Sequence, residues 1–185
     1  GIVRTHIDIM GSKWPKRPAR TLNNLEVGIV GLGAIGEGVA SRLNALGCQV
    51  SYCDPNVDRV DYKKQDLSEL LLSNEAVIIT CDLNDATRGL FDVKRLAEMR
   101  NDAYLINVSR GPIIEEEALI GSLSEGKFSG VALDVYEVEP LSDKNLLRSF
   151  PNVVFGSHNA NNTVDATEYV HRNTIESLFE ILKRI

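Results

Sequence analysis

Four residues in the second half of the chain carry groups able to move a proton or hold an anion: Arg110, Asp134, Glu139 and His158. Each lies at or just past an apolar run. Arg110 sits in "LINVSRGPIIEEEAL", Asp134 and Glu139 in "GVALDVYEVEP", and His158 in "PNVVFGSHNANN". Singly, each has an ordinary explanation. Arg110 could be a surface cation, Asp134 a buried acid bonded to backbone, Glu139 a solvated loop residue, and His158 a polar residue in a turn. Together they supply what reduction of a carbonyl requires. A guanidinium can hold a carboxylate bidentately and polarise the neighbouring oxygen. A histidine can deliver the proton. A carboxylate behind the ring fixes its orientation and favours the imidazolium.

Such residues must be brought to one place by the elements that precede them. Short apolar runs predict strands at Glu26–Val30, Gln49–Cys53, Ala76–Thr80, Ala103–Asn107, Gly130–Val135 and Asn152–Phe155, which puts Asp134 inside the fifth. Between them, helical spacing predicts Ala34–Leu46, Asp66–Leu72, Val93–Met99 and Glu115–Leu123, and Asp165–Ile185 reads as a long closing helix. Ile35, Val39, Leu43 and Leu46 form the expected inward stripe of the first, and Gly47 its stop. Strands apolar on both faces, alternating with helices, imply an α/β fold: a doubly wound parallel sheet of Rossmann type, covered on both sides. Ligands of such sheets bind outside the carboxyl ends of the strands, where all four candidates fall. Residues 1–24 read as a lead-in, with two prolines and four basic residues in "GSKWPKRPAR"; residues 25–185 read as one dinucleotide-binding domain.

The first strand runs into Gly31-Leu32-Gly33-Ala34-Ile35-Gly36, a GxGxxG that opens the first helix of the domain. Gly31 permits the tight turn, Gly33 lets backbone approach a pyrophosphate, and Gly36 lets the helix pack close to the strand. The helix N-terminus offers N–H groups and a positive dipole end to the phosphates. The second strand ends at Asp54, about twenty residues on, where a carboxylate grips the adenosine ribose hydroxyls. That anion repels a 2′-phosphate, so the expected cofactor is NAD rather than NADP.

Composition narrows the partners. The 185 residues carry a net charge of −6, which disfavours nucleic-acid binding. No apolar run is long enough to span a bilayer. Cys48, Cys53 and Cys81 are odd in number and lack metal-ligand spacing, so no metal is expected, and thiols in buried strands suit a reducing cytoplasm.

With these motifs in hand, the chain from about Trp14 onward resembles the nucleotide-binding domain of the D-isomer-specific 2-hydroxyacid dehydrogenases. The anchors are "GLGAIG" with Asp54, "INVSRGPIIEEEAL", "GVALDVYEVEP" and "PNVVFGSH". The resemblance implies that Arg110, Glu139 and His158 are the catalytic set, interconverting a 2-keto acid and a D-2-hydroxy acid. It implies that Ala34 and Ile35 meet the pyrophosphate, that Cys81, Val108 and Ser109 line the nicotinamide side, and that Asp134 bonds the carboxamide. It also implies a homodimer contacted partly through the lead-in, with Ile7, Ile9, Met10 and Trp14. The chain would then be a fragment lacking most of the substrate domain and inactive alone. Glyoxylate, hydroxypyruvate, phosphoglycerate and larger keto acids all fit; Glu139 argues against formate. The alternative is a non-catalytic NAD(H)-sensing or scaffold module on the same fold, and the intact Arg–Glu–His set argues against it. Two departures stand out. Thr80-Cys81-Asp82-Leu83 replaces the family's His-x-Pro-Leu, and Ser157 and Asn159-Ala160-Asn161 flank the histidine, with Asn161 expected to supply a left-handed turn residue.

Overall fold

The computed structural model describes residues 2–16 and 19–183. Arg17 and Pro18 of the lead-in and Arg184 and Ile185 of the expected closing helix lie outside the described residues, as does Gly1. The strands are β1 (Glu26–Val30), β2 (Gln49–Cys53), β3 (Lys63–Lys64), β4 (Ala76–Ile79), β5 (Ala103–Asn107), β6 (Phe128–Leu133) and β7 (Val153–Phe155). The helices are α1 (Ile2–Met10), α2 (Ala34–Ala45), α3 (Leu67–Ser73), α4 (Val93–Glu98), α5 (Glu116–Ser124) and α6 (Val164–Leu182), with 3-10 turns at Gly111–Ile113 and Leu146–Ser149.

All seven strands pair in parallel, in the order β3-β2-β1-β4-β5-β6-β7. The chain winds outward from β1 to β3, then returns to lay β4 on the other side of β1. That reversal is the point at which an open α/β sheet parts its loops into a crevice.

The two-residue period of a strand sends neighbours to opposite faces. Val30 packs in the main core with Leu70, Val77, Ile79, Leu96, Leu105 and Leu119, under α3, α4 and α5. Ile29, its neighbour, packs on the other face with Leu32, Ala40 and Tyr52. Cover on that second face is incomplete: Tyr104 of β5 and Val154 of β7 are exposed. The expected closing helix forms as α6, yet it buries no residue.

Two local expectations need correction, and two elements have no counterpart in the sequence reading. The inward face of α2 is built on Gly36 and Ala40 with Val39 and Leu43 half-buried, while Ile35 and Leu46 are exposed. Close approach of helix and strand favours the small residues there. Strand β6 ends at Leu133, so Asp134 lies just past it rather than inside it. The lead-in contains a helix, α1, ahead of its prolines. Strand β3 is an edge pair of lysines with no apolar signature.

Leu105 is fully buried at the centre of the main core. Leu105→Ala should destabilise the fold by about 2–5 kcal/mol, read from the urea midpoint.

Candidate active site

At the reversal point the chain leaves β1 through Gly31, whose φ is +93°. A Cβ there would lie 2.5 Å from the backbone N and Cα of Cys81, so glycine is what lets the exits of β1 and β4 approach. The Thr80 hydroxyl donates to the Gly31 carbonyl at 2.6 Å, bracing the turn. Gly36 brings α2 down onto the same loop: a Cβ would stand 2.2 Å from the Gly31 carbonyl oxygen. Gly33 is different. A Cβ there would meet nothing within 4 Å, which leaves an open cradle at the start of α2. The first-turn N–H groups of α2, those of Ala34, Ile35 and Gly36, have no intrahelical acceptor, so the cradle suits an anion. Asp54 closes its side: its carboxylate accepts from the Leu32 N–H of the loop and from the Asn56 N–H, each at 2.8 Å. This set fits a dinucleotide pyrophosphate and its adenosine ribose.

Across the crevice, Cys81, Val108 and Ser109 meet at the ends of β4 and β5. The Ser109 hydroxyl donates to the Cys81 carbonyl, and the Val108 N–H donates to Ile79. Burial pushes the Cys81 thiol up to about 11, which keeps it protonated and unreactive.

Arg110 follows directly. The buried Asn107 side chain closes this loop, accepting from the Ser109 N–H and donating to the Arg110 carbonyl, both at 3.0 Å. Gly111 then lets the loop touch the one after β6: a Cβ would lie 1.9 Å from the Tyr136 carbonyl atoms. This contact brings Arg110 near Glu139. The guanidinium spends one N–H on the Ser109 carbonyl at 2.8 Å and is otherwise exposed.

Glu139 accepts from the Tyr136 N–H at 3.0 Å through Oε1 and faces His158 Nδ1 at 2.8 Å through Oε2. Its carboxyl is held below the ordinary range by the hydrogen bond with His158, then by the Tyr136 N–H, with Arg110 adding its charge. Both side chains of the pair are more than a third exposed, so the pair matters for geometry more than for stability. With Nδ1 on the carboxylate, Nε2 is left for a ligand.

Asp134 is nearly buried, and its carboxylate accepts from the Asn159 N–H at 3.1 Å and the Ala160 N–H at 2.9 Å. The left-handed residue of this turn is His158 itself, at φ 56°, and not Asn161. Sequence reasoning missed Asn107, Gly111, Tyr136 and Gly156. Of these, Asn107 had a signal, a polar residue closing an apolar strand.

A parallel sheet of this order, with an open glycine cradle where its winding reverses, defines a dinucleotide-binding domain of the Rossmann class. Residues 1–160 match the profile of the D-isomer specific 2-hydroxyacid dehydrogenase NAD-binding domain, and the chain belongs to that family. It is 37% identical over 173 residues to a glyoxylate reductase of Thermofilum pendens, covering 88% of this chain and 50% of that protein. Among solved structures, D-lactate dehydrogenase from Aquifex aeolicus, complexed with NAD and lactic acid, superposes with a TM-score of 0.89 at 27% identity, covering 98% of this chain and 61% of that one. A D-isomer specific 2-hydroxyacid dehydrogenase from Xanthobacter autotrophicus Py2, in complex with NADPH and MES, superposes with a TM-score of 0.78 at 31% identity, covering 84% of this chain and 51% of that one. The chain thus spans about half the length of the curated relatives it matches.

Asp54→Ala should weaken NAD binding and erase a preference over NADP, measured by calorimetry; equal affinity of the unmodified chain for both would overturn the role of Asp54. Because the Glu139 carboxyl is lowered in the folded state, its pairing is intact above the ordinary value of 4.5 and is lost as pH falls through the lowered one. In a carbon-13 titration, His158→Asn should move the Glu139 midpoint upward.

Proposed function

We propose that the full-length protein is an NAD-dependent oxidoreductase that interconverts a 2-keto acid and a D-2-hydroxy acid. The observation that carries this reading is the 2.8 Å His158–Glu139 pair beside Arg110, on the sheet edge that also bears the glycine cradle. Arg110 binds the substrate carboxylate through its remaining N–H groups and polarises the carbonyl oxygen. His158, held at Nδ1, presents Nε2–H to that oxygen and gives it a proton during reduction. During oxidation the neutral ring accepts the hydroxyl proton at Nε2. Glu139 keeps the Nδ1–H form of the neutral ring and stabilises the imidazolium. Bound nicotinamide supplies or takes the hydride. Ala34 and Ile35 hold the pyrophosphate, Cys81, Val108 and Ser109 flank the nicotinamide, and the free lone pairs of Asp134 accept from its carboxamide.

Residues 25–185 serve as the cofactor half, and residues 1–24 as lead-in and dimer contact. Support for the contact comes from Ile7, Ile9, Met10 and Trp14, apolar residues of the lead-in that are all exposed. The three free thiols fit a cytoplasmic setting.

An NADH-oxidation screen of the full-length protein against a panel of 2-keto acids tests the reaction. Turnover of at least one is expected, and inertness toward all would favour an NAD(H)-sensing module. His158→Asn should lower kcat by roughly 10²–10⁴-fold with little change in NADH affinity. Glu139→Gln should lower the rate of reduction, since the carboxylate that orients the ring at Nδ1 and stabilises the imidazolium is gone. Sedimentation of the chain at micromolar concentration should show a dimer; a monomer would remove the lead-in interface.

A further inference from the structure

We infer that Asp134 is a positioning residue whose carboxylate, through the amides of Asn159 and Ala160, sets the turn that aims His158. The functional meaning rests on the reading of His158 given above; the geometry does not. Residues Ser157 through Asn162 are all exposed, so no side-chain packing shapes this turn. Its anchoring to the sheet is polar and converges on one segment. The Gly156 N–H donates to the Leu133 carbonyl and the His158 N–H to the Asp134 carbonyl, each at 2.7 Å. The Asn159 and Ala160 N–H groups take the two carboxylate oxygens. Asp134 therefore holds the histidine itself with its main chain and the two residues after it with its side chain, while Leu133 holds Gly156 ahead of it.

Two further facts fit that role. His158 takes a left-handed backbone conformation that disfavours residues with a Cβ, so something must hold it there. And no cation pairs with Asp134 among the described residues; a nearly buried carboxylate is tolerable because charge-assisted bonds from two amides replace its water. Gly156 completes the arrangement. A Cβ at that position would stand 2.1 Å from Asp134 Oδ1 and would displace the carboxylate. The same Asp134 backbone N–H reaches the Asn107 carbonyl at 3.0 Å, which ties the turn to the strand end that presents Arg110.

The test is nuclear magnetic resonance on the chain labelled with nitrogen-15, which contains three histidines. In the unmodified protein the Asn159 and Ala160 amides should exchange about 10- to 100-fold slower than an open surface loop, as charge-assisted bonds imply. Neutral His158 should be the Nδ1–H tautomer. Asp134→Asn sets an amide NH₂ against a backbone N–H; Gly156→Ala pushes the carboxylate aside. Either variant, once its amide dispersion shows it folded, should lose that protection and shift His158 toward the Nε2–H tautomer that free imidazoles prefer, with Glu139 untouched. Unprotected amides in the unmodified chain would overturn the proposal. So would a folded variant that kept the Nδ1–H tautomer. Failure of the keto-acid screen with these signatures intact would remove the reaction and leave the positioning standing.

Discussion

Everything in this domain follows from strands that all run one way. A parallel sheet discharges every strand at the same edge, so loops from distant parts of the sequence have to share a narrow rim. The reversal of winding beside β1 opens that rim on one side for an anion. On the other side it crowds the exits of β5, β6 and β7, where the backbones approach so closely that Gly111 and Gly156 are the only residues that fit opposite Tyr136 and Asp134. Packing at these glycines, more than any ion pair, brings a guanidinium, a carboxylate and an imidazole from three segments together.

A second regularity joins the acids of the rim. Asp54, Glu139 and Asp134 each accept backbone N–H groups. Amides cannot lose their dipoles and carry no side-chain entropy, so they orient a carboxylate without neutralising it. The negative charge stays available, at Asp54 beside the glycine cradle and at Glu139 for the imidazole. The Cys81 thiol beside them is kept inert by burial, which removes a competing nucleophile from the crevice.

The sequence exposed the parts of this design that are local. The glycine loop and Asp54 are written in consecutive or regularly spaced residues, because strand, turn and helix there are neighbours in the chain. The six apolar strands were legible for the same reason, whereas β3, two lysines on an edge, gave no hydrophobic signal. The stripe of α2 was misplaced because periodicity favours large residues, while contact with β1 selects Gly36 and Ala40. The Arg110, Glu139 and His158 grouping could be suspected from position relative to strands, and from family resemblance, though no local pattern encodes a distance. The clamp on the turn was invisible: its donors are main-chain amides, which every residue has. Asp134 had an unremarkable reading as a buried acid bonded to backbone, and that description holds.

The left-handed backbone at His158 has a consequence for stability. Histidine there forgoes about 1–2 kcal/mol relative to glycine. His158→Gly would therefore relieve the backbone while removing the imidazole. Any chemistry the ring supplies is thus obtained against the local preference of the backbone, which on its own favours glycine.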